Sequence, residues 1–329
     1  LIFYLSFSID SNFTPKNQRL NSLNQAINTK EYKNMNDVFR QFLEVLNLEK
    51  IDECLYRGST LKTHHPRVFG GQVFAQAMRA AQDTVKKNRF IHSQHAYFLR
   101  PGDTALPIIY TVDEIRDGTS FTTRRVIASQ RGKAIFNTSM SFQIREQGLQ
   151  HQHKMPDCAG PDELEDDQVS WMRAANSLTG DKINTFKPRP IELRSVEPLD
   201  YLNPKRRVPN QHIWLRARGK IDEDADQNHG IHEAILSYAS DFHLMSTALL
   251  PHEKSVFDQN LQPASLDHAI WFHDELRVDN WLLYSLDSPY AGNSRGFNRG
   301  TFFTEDGRLV ASTVQEGLMR IHPKKQKIS

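Results

Sequence analysis

Apolar and polar residues follow two periodicities along this chain, and the order of these periodicities occurs twice. Residues 73–81 are apolar almost all round and rich in small side chains, which predicts a buried helix packed closely against a sheet. Segments with period-two alternation follow, separated by Gly and Asp turns, and predict an antiparallel meander. The predicted strands cover about 92–99, 107–116, 121–129 and 133–144. A predicted helix over 231–240 and strands over 265–272, 281–288, 294–304 and 308–320 repeat the plan.

Individual residues of the first half also return in the second half. The repeated landmarks are His95 with His268, Tyr110 with Tyr284, Ser120 with Ser294, Gly132 with Gly307, and Thr138 with Thr313. A repeat of this length predicts one structural unit used twice rather than a solenoid of short repeats. We therefore expect an α+β chain in which each of two antiparallel sheets wraps around a central helix. The two histidines are expected at equivalent positions.

Composition sets the expected domain boundaries. Residues 1–34 begin with a short apolar run and continue as a polar, Asn-rich stretch, whereas an amphipathic helix is predicted over 36–48. We therefore interpret 1–34 as an extension upstream of a natural start at Met35. The predicted parts are then a first repeat over 35–146, a polar linker over 147–188, a second repeat over 189–322 and a basic tail over 323–329.

The overall composition argues against several classes of protein. The 329 residues include 41 basic and 39 acidic side chains that are interspersed, so no basic face indicates a nucleic-acid partner. No apolar run approaches the ~20 residues that a membrane-spanning helix needs. The two cysteines, Cys54 and Cys158, are too few for a disulfide framework and indicate a reducing compartment.

Asp241 is the first candidate for chemistry. It ends an apolar helical segment whose first-half counterpart ends in two alanines, so one copy carries a carboxylate where the other carries methyl groups. Facing the sheet, such a carboxylate could act as a base near neutral pH; alternatively, it could cap the following turn. Ser265, at the start of a predicted strand, and Gln315, on the last predicted strand, are polar residues of the same half. For these two, the alternative is a solvent-exposed strand position.

Five segments of the chain resemble the acyl-CoA thioesterase II family. They are FGGQV at 69–73, HAYFLRPGD at 95–103, SD at 240–241, LDHAIWFH at 266–273 and STVQEG at 312–317. The segments occur in the family's order, and the likeness runs from about residue 36 to residue 322. The resemblance implies a double hotdog fold and the hydrolysis of fatty acyl-CoA to a free fatty acid and CoA.

The resemblance also implies a site and a setting. The family's Asp, its Thr or Ser, and its Gln orient the attacking water, and they correspond here to Asp241, Ser265 and Gln315. No metal or redox cofactor is implied, the expected partner is fatty acyl-CoA, and assembly into a homo-oligomer, a tetramer, is expected. The eukaryotic branch is peroxisomal. Because the chain does not end in Ser-Lys-Leu, the resemblance favours a bacterial, cytoplasmic member.

Four alternatives compete with this interpretation. Residues 292–296 match G-x-S-x-G, the nucleophile elbow of α/β hydrolases, although the elbow must open a helix and residues 297–304 predict a strand. Paired histidines suggest a metal site, yet none has an H-E-x-x-H spacing or accompanying paired cysteines. A hotdog enoyl-CoA hydratase would need an Asn-Pro pair after Asp241, which the sequence lacks. A non-catalytic acyl-CoA-binding protein is the fourth alternative.

Overall fold

The structure, a computed structural model, describes residues 37–61, 67–170, 189–200, 203–222 and 229–323. The predicted extension over 1–34, residues 171–188 of the predicted linker and residues 324–329 of the predicted tail lie outside the described residues. The domain boundaries therefore stay predictions.

The described residues of the first half form two helices and six strands. Residues 37–46 form helix α1, and the chain continues as the hairpin β1 (Glu49–Asp52) and β2 (Leu55–Gly58). The central helix α2 spans Gly70–Gln82. The meander is formed by β3 (Phe90–Phe98), β4 (Ile108–Asp117), β5 (Phe121–Gln130) and β6 (Lys133–Gln143). The two helices predicted over 36–48 and 73–81 and the four predicted meander strands are confirmed, with ends that differ by a few residues.

The second half repeats the order that begins at β1, with an additional helix after its central helix and an additional strand. Its elements are β7 (Ile191–Ser195), β8 (Asn210–Ala217), α3 (Ile231–Ser240), α4 (Leu244–Leu249), β9 (Leu261–Ser265), β10 (Asp267–Phe272), β11 (Leu282–Gly292), β12 (Arg295–Thr304) and β13 (Leu309–Ile321). The predicted helix over 231–240 is confirmed as α3. A second short helix, α4, was not predicted; it starts after His243, whose φ of 65° interrupts the helical path.

The strand predicted over 265–272 is in fact two strands, and Ser265 ends β9 instead of starting a strand. The break lies at Leu266, whose N–H donates to the Glu316 carbonyl and whose carbonyl accepts from the Phe98 N–H. At this residue the chain passes from pairing with β13 alone to pairing with both β13 and β3. Alternation alone does not reveal such a change of partner.

The strands of both halves form one antiparallel sheet. Within the described residues it has 13 strands, in the order β1-β2-β4-β5-β6-β3-β10-β13-β12-β11-β8-β7, with β9 paired to β13. The halves join through β3 and β10, where His95 lies opposite Ala269. Helix α2 packs on β4, β5 and β6, and α4 packs on β11, β12 and β13. The predicted α+β fold is confirmed, and the two predicted sheets are continuous at their shared edge.

Helices α2 and α3 lie antiparallel beside each other, and contacts at their two ends are related by symmetry. At one end the Gly71 N–H donates to Asp241 Oδ2 (2.8 Å), and at the other Gln82 Nε2 donates to the Gly230 carbonyl (2.9 Å). Gln82 and Asp241 therefore lie at comparable ends of the two helices, each against a glycine at the start of the other helix. This pseudo-twofold relation allows the two halves to be compared residue by residue.

Strand register corrects one prediction from the sequence. Thr138 Oγ1 donates to the His95 carbonyl, and its counterpart Thr313 donates to the Ala269 carbonyl, so His95 corresponds to Ala269. The expected equivalence of His95 and His268 is therefore wrong by one residue. Because a shift of one residue reverses the face of a strand, His95 is exposed whereas His268 is buried.

Candidate active site

Asp241 directly follows α3 and is only 3% exposed. Its Oδ1 accepts a hydrogen bond from Gln315 Nε2 on β13 (2.7 Å), and its Oδ2 accepts one from the Gly71 N–H (2.8 Å). N–H groups in the first turn of a helix have no acceptor within the helix, and that end carries the positive part of the helix dipole. The N-terminus of α2 thus stabilises the ionised carboxylate, which is held by both halves of the chain.

Two glycines allow the carboxylate to reach the helix. A Cβ atom at Gly70 would lie 2.8 Å from Asp241 Oδ2. A Cβ atom at Gly71 would lie closer than 3.0 Å to the carbonyl oxygen of Tyr238 in α3. The two adjacent glycines just before an apolar helix suit a tight approach, although the sequence alone does not indicate that Asp241 and α3 are the groups that approach.

Gln315 connects Asp241 to a buried histidine. Since a carboxylate only accepts hydrogen bonds, the end of the Gln315 amide that faces Asp241 is the NH₂ group. The same nitrogen lies 3.0 Å from Nδ1 of His268, so Nδ1 accepts and the ring is neutral. The ring proton is then on Nε2, which lies 2.8 Å from Ser240 Oγ and 3.3 Å from Thr313 Oγ1. Burial lowers the pKa of His268 to about 4, in agreement with the neutral ring.

Ser265 lies beside this network with an unused hydroxyl. It is 5% exposed, and its Oγ has no hydrogen-bond partner among the described residues. Ser265 pairs across the strands with Gly317, which lies on the same face of β13 as Gln315, two residues away. Diagonal neighbours of this kind are about 7–8 Å apart between Cα atoms. The structure therefore brings Asp241 and Gln315 into direct contact and places Ser265 diagonally across from Gln315.

The first half lacks this arrangement. By strand register and the paired helix ends, the corresponding residues are Gln82 for Asp241, Ile91 for Ser265, Gln94 for His268 and Met140 for Gln315. The cavity at that position, of about 10 Å³, is nearly filled by the side chains around it, including Phe142. Within the described residues, the constellation thus occurs once.

Two larger cavities border the first-half position, of about 720 and 800 Å³. Both are lined by Arg145, Glu233, Glu275 and Arg308, and neither is lined by Asp241, Ser265 or Gln315. Arg145 pairs with Glu275, and Arg308 pairs with Asp274, so ion pairs already neutralise the guanidinium groups. Size alone therefore does not mark these cavities as the reacting centre, and we place the centre at the hydrogen-bonded network.

Buried histidines make the fold sensitive to acid. Burial lowers the pKa of His268 to about 4 and that of His243 to about 3. In the unfolded chain a histidine has a pKa of about 6.5, so the unfolded state takes up protons first as the pH falls. We expect the free energy of unfolding to decrease between pH 6.5 and pH 4 by up to roughly 3 kcal/mol per histidine, measured by urea unfolding.

A His243→Asn variant separates this effect from the titration of carboxylates. Asparagine tolerates the positive φ of 65° at this position and has no proton to gain in this range. The variant should therefore lose stability less steeply than the natural protein between pH 6.5 and pH 4. Equal slopes for the two proteins would contradict the assignment.

The G-x-S-x-G segment is a strand turn and not a nucleophile elbow. Ser294 and Asn293 have φ values of 58° and 50° and form the tight connection between β11 and β12. A nucleophile elbow joins a strand to a helix, whereas β12 follows here. The serine-hydrolase interpretation is therefore excluded.

Family models match both halves of the chain. Residues 190–318 match the model described as acyl-CoA thioesterase, and residues 59–143 match the model described as acyl-CoA thioesterase N-terminal domain. Acyl-CoA thioesterase 2 of Haemophilus influenzae is 37% identical over 287 residues, which cover 87% of this chain and 99% of that protein.

Solved structures agree with this match. The acyl-CoA thioesterase II TesB2 of Mycobacterium marinum is 37% identical, with a TM-score of 0.69, and the likeness covers 85% of this chain and 98% of that one. A hot dog fold protein of Alicyclobacillus acidocaldarius, 15% identical, shares the fold with a TM-score of 0.67 over 86% of this chain and 99% of its own. Fold and relatives together define a thioester hydrolase built from two hotdog units.

This chain belongs to the acyl-CoA thioesterase II family. It is an enzyme that hydrolyses acyl-CoA thioesters. None of its described helices is both long and apolar enough to cross a membrane.

Proposed function

We propose that the substrates are fatty acyl-CoA thioesters, and that Asp241 activates a water that Ser265 and Gln315 orient. The observation that carries the proposal is the 2.7 Å hydrogen bond from Gln315 Nε2 to Asp241 Oδ1 beside the unpartnered hydroxyl of Ser265. Buried hydroxyl groups normally have a partner. A water between Ser265 and the Asp241–Gln315 pair would supply that partner and would hold the nucleophile in place.

The chemistry requires few groups. Asp241 takes a proton from the water as the water oxygen attacks the thioester carbon, and the C–S bond then breaks to release the CoA thiolate. Because a thiol has a pKa of about 8.5, the thiolate leaves without a strong general acid. The positive end of α2, which donates the Gly71 N–H to Asp241, is suited to the negative charge that develops on the carbonyl oxygen.

Aromatic rings next to Asp241 favour an apolar acyl group. The ring of Phe69 lies 5.1 Å from the rings of both Tyr238 and Phe242. Tyr238 and Phe242 are buried, and Phe242 directly follows the carboxylate. A wall of this kind gains free energy by covering hydrocarbon, at about 25 cal/mol for each Å² of apolar surface removed from water.

The proposal is tested by measuring CoA release from a series of acyl-CoA thioesters, from acetyl to long-chain acyl groups, with a thiol-reactive dye. We expect release with the long-chain thioesters and slower release with acetyl-CoA. Fastest release from acetyl-CoA would contradict the fatty acyl assignment. Consumption of an enoyl-CoA without thiol release would instead identify the hydratase alternative.

A Ser265→Ala variant tests the water site. Because the hydroxyl has no partner among the described residues, its removal should change the free energy of unfolding by less than about 1 kcal/mol. Loss of a group that orients the nucleophile should lower kcat by up to about 100-fold. A Ser265→Thr variant, which keeps the hydroxyl, is the matched control and should retain most of the activity. Equal activity of the Ala and Thr variants would exclude a role for the hydroxyl.

A cytoplasmic location and assembly into a tetramer are further parts of the proposal. Both Cys54 and Cys158 are free thiols, which suits a reducing compartment. The tetramer follows from the family resemblance.

A further inference from the structure

We propose that His268 is a positioning residue for catalysis, which fixes the orientation of the Gln315 amide. The inference rests on the proposed function of Asp241 and Gln315. An amide has two N–H donors, and those of Gln315 are directed to Asp241 Oδ1 (2.7 Å) and to His268 Nδ1 (3.0 Å). The amide oxygen is therefore the atom with which Gln315 orients a water.

The amide needs a second acceptor because Asp241 changes its protonation during turnover. As a carboxylate, Asp241 accepts a hydrogen bond from the Gln315 NH₂ group. A flipped amide would direct its oxygen at the carboxylate, which has no hydrogen to donate. After it has taken a proton from water, Asp241 can donate to an amide oxygen, and the flipped orientation would then satisfy it equally well. His268 Nδ1 remains an acceptor in both states, so it holds the NH₂ group in place throughout the cycle.

The tautomer of His268 is itself fixed by its surroundings. Nε2 lies 2.8 Å from Ser240 Oγ, and this hydroxyl donates its own hydrogen to the Ser237 carbonyl (2.9 Å). Ser240 must therefore accept from His268, which keeps the proton on Nε2. The ring of Phe74 packs edge-on at 4.7 Å, and His268 is 1% exposed. The chain of donors begins at Gln315 and ends in α3, the helix that precedes Asp241.

The first half provides a natural comparison. At the positions of His268 and Gln315 it has Gln94 and Met140, so the histidine is absent where the amide is absent. Gln94 donates to the Phe74 carbonyl (3.0 Å), and its own Oε1 has no partner among the described residues. Histidine thus occurs where the neighbouring strand carries the Gln315 amide, and glutamine occurs where it carries Met140. This is expected if His268 and Gln315 act as a pair.

A double-mutant cycle between His268→Ala and Gln315→Ala tests the proposal through CoA release. In the natural background, His268→Ala should lower kcat by up to about 100-fold, with KM changed by less than about threefold, since a misplaced group of this kind impairs the chemical step. In the Gln315→Ala background the same substitution should cost less than about threefold, because the amide that it positions is gone. An equal loss in both backgrounds would show a merely structural histidine and overturn the proposal.

A His268→Asn variant provides the rescue. Its Oδ1 lies at the same distance along the side chain as Nδ1 of histidine and can accept from Gln315. It should regain at least about tenfold of the kcat lost in His268→Ala, whereas an Asn variant no better than the Ala variant would contradict the proposal. Circular dichroism and urea unfolding of each variant confirm that folded proteins are compared.

NMR gives a readout that does not depend on activity. After labelling with ¹⁵N-histidine, the signals of the natural protein that disappear in His268→Asn should belong to a ring with the proton on Nε2 and an unprotonated Nδ1 at pH 7. A proton on Nδ1 would overturn the proposal. If the natural protein releases no CoA from any acyl-CoA, the proposed function fails instead, and the NMR result still decides the tautomer.

Discussion

An Asp241→Asn variant is expected to fold and to lose about 10²–10⁴-fold in kcat, the contribution that a positioned general base usually makes. The buried carboxylate is the group in the network that can take a proton from water. Gln315 has no basic atom, and His268 is a poor base because burial lowers its pKa to about 4 and its Nδ1 already accepts a hydrogen bond from Gln315. Asparagine has nearly the same shape but no basic oxygen. CoA release from a long-chain acyl-CoA, measured under saturation, checks the expected loss.

The fold should persist in this variant because asparagine can keep one of the two hydrogen bonds that the carboxylate accepts. If its oxygen faces Gln315 Nε2, the Gln315 amide and the His268 tautomer stay as they are. Its NH₂ group then faces the Gly71 N–H, which loses its acceptor. We expect a cost of about 1–3 kcal/mol in the free energy of unfolding, measured by urea unfolding.

Asp83 offers a matched control at the end of the other central helix. It follows α2 as Asp241 follows α3, and it accepts hydrogen bonds from Lys50 Nζ (2.9 Å) and Tyr56 Oη (2.7 Å). An Asp83→Asn variant should change stability and leave kcat within about twofold, since Asp83 contacts none of the candidate site residues. Turnover near the natural rate in Asp241→Asn would refute the mechanism.

Much of the fold could be predicted from the sequence because its patterns are local. Period-two alternation and Gly or Asp turns were enough to predict β3 to β6, and the repeat then predicted the second meander. The symmetric join of β3 and β10 could not be predicted, since both are edge strands of their own unit and alternation says nothing about a partner. The same limit explains why Ser265 was expected to start a strand and is found at the end of one.

The candidate site was predictable in part. Asp241 stood out as a carboxylate at the end of an apolar segment, Ser265 and Gln315 were noted as polar residues of the same half, and the resemblance grouped the three into one site. Their meeting depends on contacts between residues 74 positions apart in the chain, which no local pattern records. His268 was missed for a different reason, since matching it to His95 placed its side chain on the wrong face of the strand. Only the register of β3 with β6, and of β10 with β13, identified Gln94 as its counterpart.

A Gly71→Ala variant is expected to damage both stability and turnover. The added Cβ would lie closer than 3.0 Å to the Tyr238 carbonyl oxygen, and a helix backbone cannot move aside as a flexible side chain can. Helices α2 and α3 must therefore separate, at a cost of about 1–3 kcal/mol in the free energy of unfolding. Their separation also withdraws the Gly71 N–H from Asp241, and a displacement near 1 Å can lower kcat by about 100-fold. Urea unfolding and CoA release measure the two effects.

The opposite end of the helix pair separates general loosening from a local effect on Asp241. Gly230 lies at the start of α3 as Gly71 lies at the start of α2, and a Cβ there would meet the end of the Gln82 side chain, with a φ of 70° adding strain. A Gly230→Ala variant should therefore lose stability while its folded fraction keeps a kcat within about threefold of the natural value. A Gly148→Ala variant, whose Cβ would have nothing within 4 Å, controls for the substitution itself. If Gly230→Ala lost as much turnover as Gly71→Ala, the contact between the α2 N-terminus and Asp241 would have no special part in catalysis.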